Sequence, residues 1–388
     1  MALRGTNQEF GRPYNRRIVL ESIRLHGPIA RGDIAGRVGL TVQTVSTIVR
    51  ELEEQGFVLS SREEPKGRGL PPATLRINPE GGYAVGVHIT PFGINAALIN
   101  LSGDVIESAY REAPNATPDH AFDLIGAMGA ELTGLRAGGR VLGVGMALPG
   151  PFGVESMSFV GPTTMTGWKD VALRDRLAAA TGLPAFFETD MAAAAMGERL
   201  YGLGTQFSEY YYLYFGVGLG GVMVHDGIAL RGAWGNAGEV GHIPVVPGGE
   251  ACPCGNSGCL ERYLSLEALG RWNGSEADWV AEVAPIFHNA IAVIENLFDP
   301  ETVILGGLAS AELLERLAAS TDDLHNSVSA RKDRKARRVM VARGGQHSVL
   351  RGAAALAVSG VLSPRFGQMF AAERERGRDL LTAREIAA

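Results

Sequence analysis

The spacing of apolar residues changes period along the chain, and each change marks a different kind of element. In residues 15–26, Ile18, Val19, Ile23 and Leu25 stand at near-helical spacing, and Gly27-Pro28 ends the run. A second short helix fits 31–38, with Ile34, Ala35 and Val38 inward. Gly39 and Leu40 follow, and then Thr41, a residue type suited to cap a third helix over 42–55. Val45, Ile48, Val49 and Leu52 form the buried face of that helix, and Gly56 stops it. Two short helices joined by a glycine turn are the layout of a helix-turn-helix. Residues 57–59 and 74–77 read as two strands around a loop, 62–72, that carries Lys66 and Arg68 in the manner of a wing.

Past a polar, Pro- and Gly-rich stretch the texture changes, which places a boundary near residue 80 and divides the chain into 1–80 and 81–388. Short β-type runs at 83–90, 93–101 and 104–111 precede a helix at 119–135 and a strand at 141–148. A helix at 171–180, a strand at 184–188 and a helix at 191–200 follow. The pattern then restarts: strands at 209–215, 220–225 and 227–231, a helix at 279–298, strands at 302–305 and 339–342, and a helix at 349–361. Two copies of three strands followed by α/β units predict two similar lobes with a cleft between them, the usual place for a ligand. The last segment, 365–388, mixes charged and apolar residues at helical spacing and reads as a terminal helix against the body or a second subunit.

Composition narrows the class. With 46% hydrophobic and 20% charged residues, the 388-residue chain is ordinary globular protein. Three cysteines do not make a disulfide framework, which points to a reduced, cytoplasmic setting. The most apolar stretch, 210–224, is interrupted by glycines and too short to span a bilayer, and the first twenty residues lack the apolar block of a secretory signal. No membrane partner is expected. The net charge of −6 hides an asymmetry: residues 1–78 hold 12 Lys and Arg against 8 Asp and Glu, whereas the remainder is acidic. A basic module on an acidic body suggests that nucleic acid meets the first part. The outward face of the third helix supplies the groups to read a duplex. Gln43, Thr44, Ser46 and Thr47 can address base edges, and Arg50, Lys66 and Arg68 can reach phosphates. A bare three-helix module docking on protein is the alternative.

The most specific local chemistry lies in Gly238-Glu239-Val240-Gly241-His242 followed by Cys252-Pro253-Cys254 and Cys259-Leu260-Glu261. All the cysteines of the chain fall within eight residues, with His242 ten residues ahead of the first. His242, Cys252, Cys254 and Cys259 make a closed Cys₃His zinc set, structural because no coordination position is left for water. Three free thiols or a redox pair are the alternatives. Glu188-Thr189-Asp190, at a strand end and a helix start, offers Asp190 as a general base or simply as a helix cap. The glycines of 216–221 fit a phosphate cradle or a tight hairpin. The basic run 331–338 reads as a solvated connection.

These residues resemble the ROK family of repressors and sugar kinases, in particular its transcriptional-repressor branch for xylose, N-acetylglucosamine and glucose. The resemblance rests on 238–261, Pro149-Gly150-Pro151, Gly167-Trp168-Lys169-Asp170, Asp299-Pro300 and Gly306-Gly307, and runs to about residue 362. It implies an α+β and α/β chain: a winged helix-turn-helix, then a two-lobed, actin-like (ribonuclease H-like) sugar-kinase fold. It implies sugar contacts by Asp190, Glu239, His242 and Glu261, with Thr189 where the family has Asn. Family kinases carry Asp-x-Gly-Gly-Thr at the first strand turn; here the stretch reads His88-Ile89-Thr90-Pro91-Phe92. Phosphoryl transfer depends on positioning and charge neutralisation, and proline has no N–H to offer a phosphate. The expectation is therefore a non-enzymatic, sugar-responsive regulator, a repressor. It would be a homodimer or homotetramer on a palindromic DNA operator, with Asp190 a vestigial base. The alternative is a sugar kinase carrying a DNA-binding head.

Overall fold

The computed structural model describes residues 11–61, 73–136, 138–150, 165, 167–168, 171–324, 327–329, 331 and 333–362. Lys66, Arg68, Pro151, Lys169, Asp170 and the segment 365–388 lie outside the described residues.

The head contains α1 (Gly11–His26), β1 (Ile29–Ala30), α2 (Arg31–Val38), α3 (Val42–Glu54), β2 (Val58–Ser61) and β3 (Thr74–Ile77). Gly39 makes the turn between α2 and α3 in the left-handed region, at φ 67°, where a side chain would be strained. The Thr41 hydroxyl then accepts from the Thr44 amide at 3.1 Å and caps α3. Ile18, Ile23, Ile34, Val45, Ile48, Val49 and Leu52 close the core beneath. β2 and β3 pair antiparallel as the stem of the wing. The first helix starts at Gly11, earlier than its apolar pattern announces, and β1 pairs with β3 through Ile29 and Leu75 although two residues carry no period.

The body holds two sheets with one connectivity. In the first lobe β4 (Tyr83–Thr90), β5 (Gly93–Asn100) and β6 (Val105–Glu112) form an antiparallel meander. β7 (Val141–Leu148) and β8 (Ala185–Thr189) add parallel to β4, giving the order β6-β5-β4-β7-β8. In the second lobe β9 (Glu209–Phe215), β10 (Leu219–His225), β11 (Ile228–Ala229), β12 (Thr302–Gly307) and β13 (Val339–Val341) repeat that order as β11-β10-β9-β12-β13. The central strands are buried on both faces, as parallel strands covered by helices must be.

Helices α4 (Pro118–Gly134) and α5 (Leu173–Thr181) cover the outer face of the first sheet. α7 (Leu266–Gly270), α8 (Glu276–Phe298) and α9 (Ala311–Ala319) belong to the second lobe. By length and composition α8 could cross a membrane, but Trp279, Val283, Phe287, Ile291 and Ile294 pack into the second lobe's core. α6 (Asp190–Tyr201) and α10 (Ser348–Leu362) cross between the lobes. They approach backbone to backbone at Gly197 and Gly352: a Cβ on Gly197 would lie 2.9 Å from the Gly352 Cα.

One expectation changes here. The basic run is not simply solvated. Arg334 Nη1 and Arg338 Nε donate at 3.0 and 2.9 Å to Glu295, a side chain with no exposed surface. Burial opposes the Glu295 charge, yet the Arg338 and Arg334 guanidiniums hold its carboxyl below the usual range. The head also packs against the body. Ile18, Ile23 and Leu52 share one apolar cluster with Leu101, Leu142, Leu350 and Val358. The Arg140 guanidinium sits over the Phe57 ring at 4.4 Å, and Asn78 Nδ2 donates to the Gly56 carbonyl at 2.7 Å.

Candidate functional site

The interlobe cleft is lined by His88, Thr90 and Pro91 from the first lobe, Pro149 and Gly150 after β7, and Asp190 at the start of α6. The second lobe contributes Tyr214, the glycine turn at Gly218 and Gly220, and Glu239, His242 and Glu261. The chain ends of parallel strands deliver most of these groups, so the cleft lies where the strand order reverses, as ligand sites of α/β sheets do.

Asp190 is the first residue of α6, not its cap. Thr189 takes the cap position, and its hydroxyl accepts from the Ala192 amide at 3.3 Å. Thr189 is buried and is not among the residues lining the cleft, and its short side chain is engaged at the helix end. The Asp190 carboxylate accepts from the Met191 amide at 2.8 Å. Burial pushes its carboxyl up to about 6, against the Met191 amide and the Tyr214 hydroxyl, which favour the ionised form. Glu239 is pushed up to about 7, first by burial and then by the charges of Asp190 and Glu261. Three carboxylates thus face one desolvated space, an arrangement that accepts hydrogen bonds from hydroxyl groups.

Across the cleft two amides of the first hairpin turn are engaged by a side chain of the turn itself. The Thr90 hydroxyl accepts from the amides of Phe92 and Gly93, both at 3.2 Å, and donates to the Gly93 carbonyl at 3.0 Å. Pro91 has no amide to give. His88 is buried, and desolvation lowers its pKa to about 4, so the imidazole is neutral. The matching turn of the second lobe, 216–220, places Gly218 and Gly220 in the cleft wall.

Behind Glu239 and Glu261 the four expected metal ligands converge. One ligand atom from each of His242, Cys252, Cys254 and Cys259 lies within 4.8 Å of every other. Cys254 Sγ and Cys259 Sγ are 3.6 Å apart, and Cys252 Sγ is 3.6 Å from His242 Nδ1. A tetrahedron with zinc–sulfur bonds of about 2.3 Å has edges of about 3.8 Å, so the spacing fits, whereas a disulfide needs about 2.05 Å. His242 presents Nδ1 to the sulfurs and Nε2 toward Glu239 Oε2, 4.0 Å away. The metal cluster and the cleft therefore share one imidazole.

Sequence reasoning does not pair Glu188 with Arg231. They form an ion pair between the end of β8 and the segment after β11, one lobe to the other, immediately beside Thr189 and Asp190. Neither residue carries a spacing signal, because the pair exists only when the lobes meet. On the head, Gln43, Thr47 and Arg50 are exposed along α3, and Thr44 and Ser46 are half-buried. The Thr44 hydroxyl is bonded to that of Thr41 at 2.9 Å, and the Thr47 hydroxyl donates to the Gln43 carbonyl at 3.2 Å.

Residues 84–359 match the sequence profile of the ROK family. The chain belongs to the ROK family. Residues 13–58 match a winged helix-turn-helix DNA-binding profile, placed ahead of the ROK body. Among curated ROK relatives, the xylose repressor of Bacillus subtilis (strain 168) is 29% identical over 268 residues, 68% of each chain. A solved ROK family transcriptional regulator, described as a homologue of the E. coli Mlc protein, superposes with TM-score 0.69. It is 24% identical, over 92% of this chain and 98% of that one, and so shows the shared fold. A ROK family glucokinase from Streptomyces griseus, solved with glucose and AMPPNP, is 28% identical at TM-score 0.60. It covers 72% of this chain and all of that one. ROK bodies thus accompany both repressors and kinases among these relatives.

Proposed function

We propose that this chain is a sugar-responsive DNA-binding transcriptional regulator, a repressor, whose effector occupies the interlobe cleft. One observation carries the reading: a hydroxyl-accepting cleft faces a phosphate turn whose amides are taken by its own Thr90, and the same chain bears a DNA-reading helix. The xylose repressors among the relatives make xylose and related aldoses the first sugars to try. Asp190, Glu239 and Glu261 accept from sugar hydroxyls, and His242 Nε2 presents a further polar group to the sugar. A hydroxyl missing or inverted on the sugar would leave buried carboxylates unpaired, at about 1–3 kcal/mol each, which sets the selectivity.

Zinc would be held by His242 Nδ1 and the thiolates of Cys252, Cys254 and Cys259. A closed set of this kind supplies rigidity rather than reactivity, and it fixes the positions of Glu239, His242 and Glu261. Two copies of the chain would present two heads to a palindromic operator, with Gln43, Thr44, Ser46, Thr47 and Arg50 in the major groove and Lys66 and Arg68 at the wing.

The cleft volume of about 80 Å³ is below the roughly 300–1,000 Å³ usual for small-molecule sites. A sugar enters only with the lobes farther apart, so binding and lobe angle are linked, and the head rides on that angle. A mobility-shift assay on the chain's own promoter region, with and without an aldose panel, tests the proposal. A shift that one sugar weakens supports it; no shift at moderate salt overturns it. The kinase reading retains one observation, the acid at Asp190 with the intact second glycine turn. Sugar-dependent ADP release that disappears in Asp190→Asn would establish that reading instead.

A further inference from the structure

Among the described residues of the head, Val42 is the most exposed large apolar side chain, at 54%, with Leu59 next at 36%. It is the first residue of α3, directly after the Thr41 cap. Leu40, two positions earlier, packs on the apolar core of the head. Val42 stays outside that core, and as a β-branched residue it adds little to the helix. Its position gives it another use. In a helix-turn-helix the N-terminal residues of the second helix reach base edges in the major groove, and residues 13–58 match such a DNA-binding profile.

The charges along α3 indicate which end meets a duplex. Its first turn holds no acidic residue, whereas Glu51, Glu53 and Glu54 gather toward its C-terminus. A phosphate backbone is therefore met at the N-terminal end, where the helix dipole is positive as well. Some polar groups there are already committed. The Thr44 hydroxyl is bonded to that of Thr41 at 2.9 Å, and the Thr47 hydroxyl gives its proton to the Gln43 carbonyl at 3.2 Å. Gln43 itself is exposed, beside Val42. A carboxamide pairs at two points with adenine, through N6 and N7, and an apolar side chain packs on the 5-methyl group of thymine. Val42 and Gln43 offer both surfaces on the leading turn of α3.

We infer that Val42 is a base-reading residue: its methyl groups pack on the 5-methyl of a thymine in the major groove, beside an adenine held by the Gln43 carboxamide. Each operator half-site then carries adjacent A·T pairs under the start of α3. The inference rests on the DNA-binding reading and names what this surface selects. The thymine methyl stands in the major groove only, so its removal addresses this contact and leaves the phosphates, which position the protein without reading sequence, as they were.

The test uses the full chain and a pool of random duplexes, carried through rounds of binding. The winning duplex is then synthesised with thymine and again with deoxyuridine throughout, and the two are compared by mobility shift at one salt concentration. Adjacent A·T pairs are expected in each selected half-site. The wild type is expected to bind the deoxyuridine duplex about fourfold more weakly per contacted methyl, the effect of burying one such group. Val42→Ala, an exposed position given a better helix former, is expected to bind the thymine duplex more weakly and to lose most of the response to deoxyuridine. Selected half-sites without thymine, a wild type indifferent to deoxyuridine, or an equal loss in Val42→Ala overturns the inference while DNA binding stands. A pool in which no sequence is enriched overturns the DNA-binding reading, and this inference with it.

Discussion

The two lobes place a hairpin turn at the same topological point, after the first strand of each sheet, and the two turns differ in chemistry. The second lobe keeps Gly218 and Gly220 in the cleft wall, while the first has Thr90 bonded to its own backbone and Pro91. The sheets are otherwise alike in strand order and in parallel and antiparallel pairing. Connectivity therefore brings the turns to the cleft but does not decide what they do there. A few side chains at one turn are enough to make the two turns differ.

The sharpest way to break that contrast is to loosen the second lobe. Cys254→Ser, or exhaustive chelation, releases the loop carrying Glu239 and Glu261. Sugar affinity measured by calorimetry is expected to fall at least about 100-fold, the upper end of effects seen when a metal's surroundings are disturbed, while operator binding persists. Asp190→Asn removes one charged acceptor and is expected to weaken sugar binding about 10- to 100-fold, in line with about 1.5–3 kcal/mol for a hydrogen bond to a charged group.

Acidity provides a milder perturbation. The Asp190 carboxyl titrates at about 6, so it is ionised above that pH and accepts most strongly there. Sugar affinity is expected to fall about tenfold from pH 7 to pH 5, as the ionised fraction falls. Folding responds with the opposite sign. The folded chain holds this proton more tightly than the unfolded chain, so the group's contribution to stability is full below about pH 4 and is lost as pH rises through about 6. A urea-denaturation series across that window reads the slope. The smallest effect is expected from opening the first turn. Thr90→Gly with Pro91→Gly frees the amides and is expected to raise affinity for inorganic pyrophosphate a few-fold, still without turnover, because His88 remains in place of an acid. Measurable phosphoryl transfer in that variant would show that the turn alone separates the two lobes.

Much of this was legible in the chain. The helix-turn-helix announces itself because Gly39, Thr41 and the apolar face of α3 agree in one short window. The metal set is legible because the cysteines are so few and so close. Boundaries were harder. The apolar pattern begins α8 at Trp279, whereas the helix starts at Glu276, since its signal is the Ser275–Asp278 capping box rather than an apolar residue. The sequence offers Asp190 as the cap of α6 whereas Thr189 takes that position, because both residue types cap well and only the backbone decides. The Glu188–Arg231 pair and the Glu295 cluster arise from contacts distant in sequence, for which periodicity holds no information.

The apolar cluster that runs from Ile18 and Leu52 into Leu350 and Val358 has a practical corollary for exchange of parts among related proteins. A graft that joins this head to a foreign body at residue 80 exposes a greasy scar on both pieces and strips Phe57 of its Arg140 cover. Functional chimaeras will need to carry the matching face of α10 along with the head, as one inherited unit.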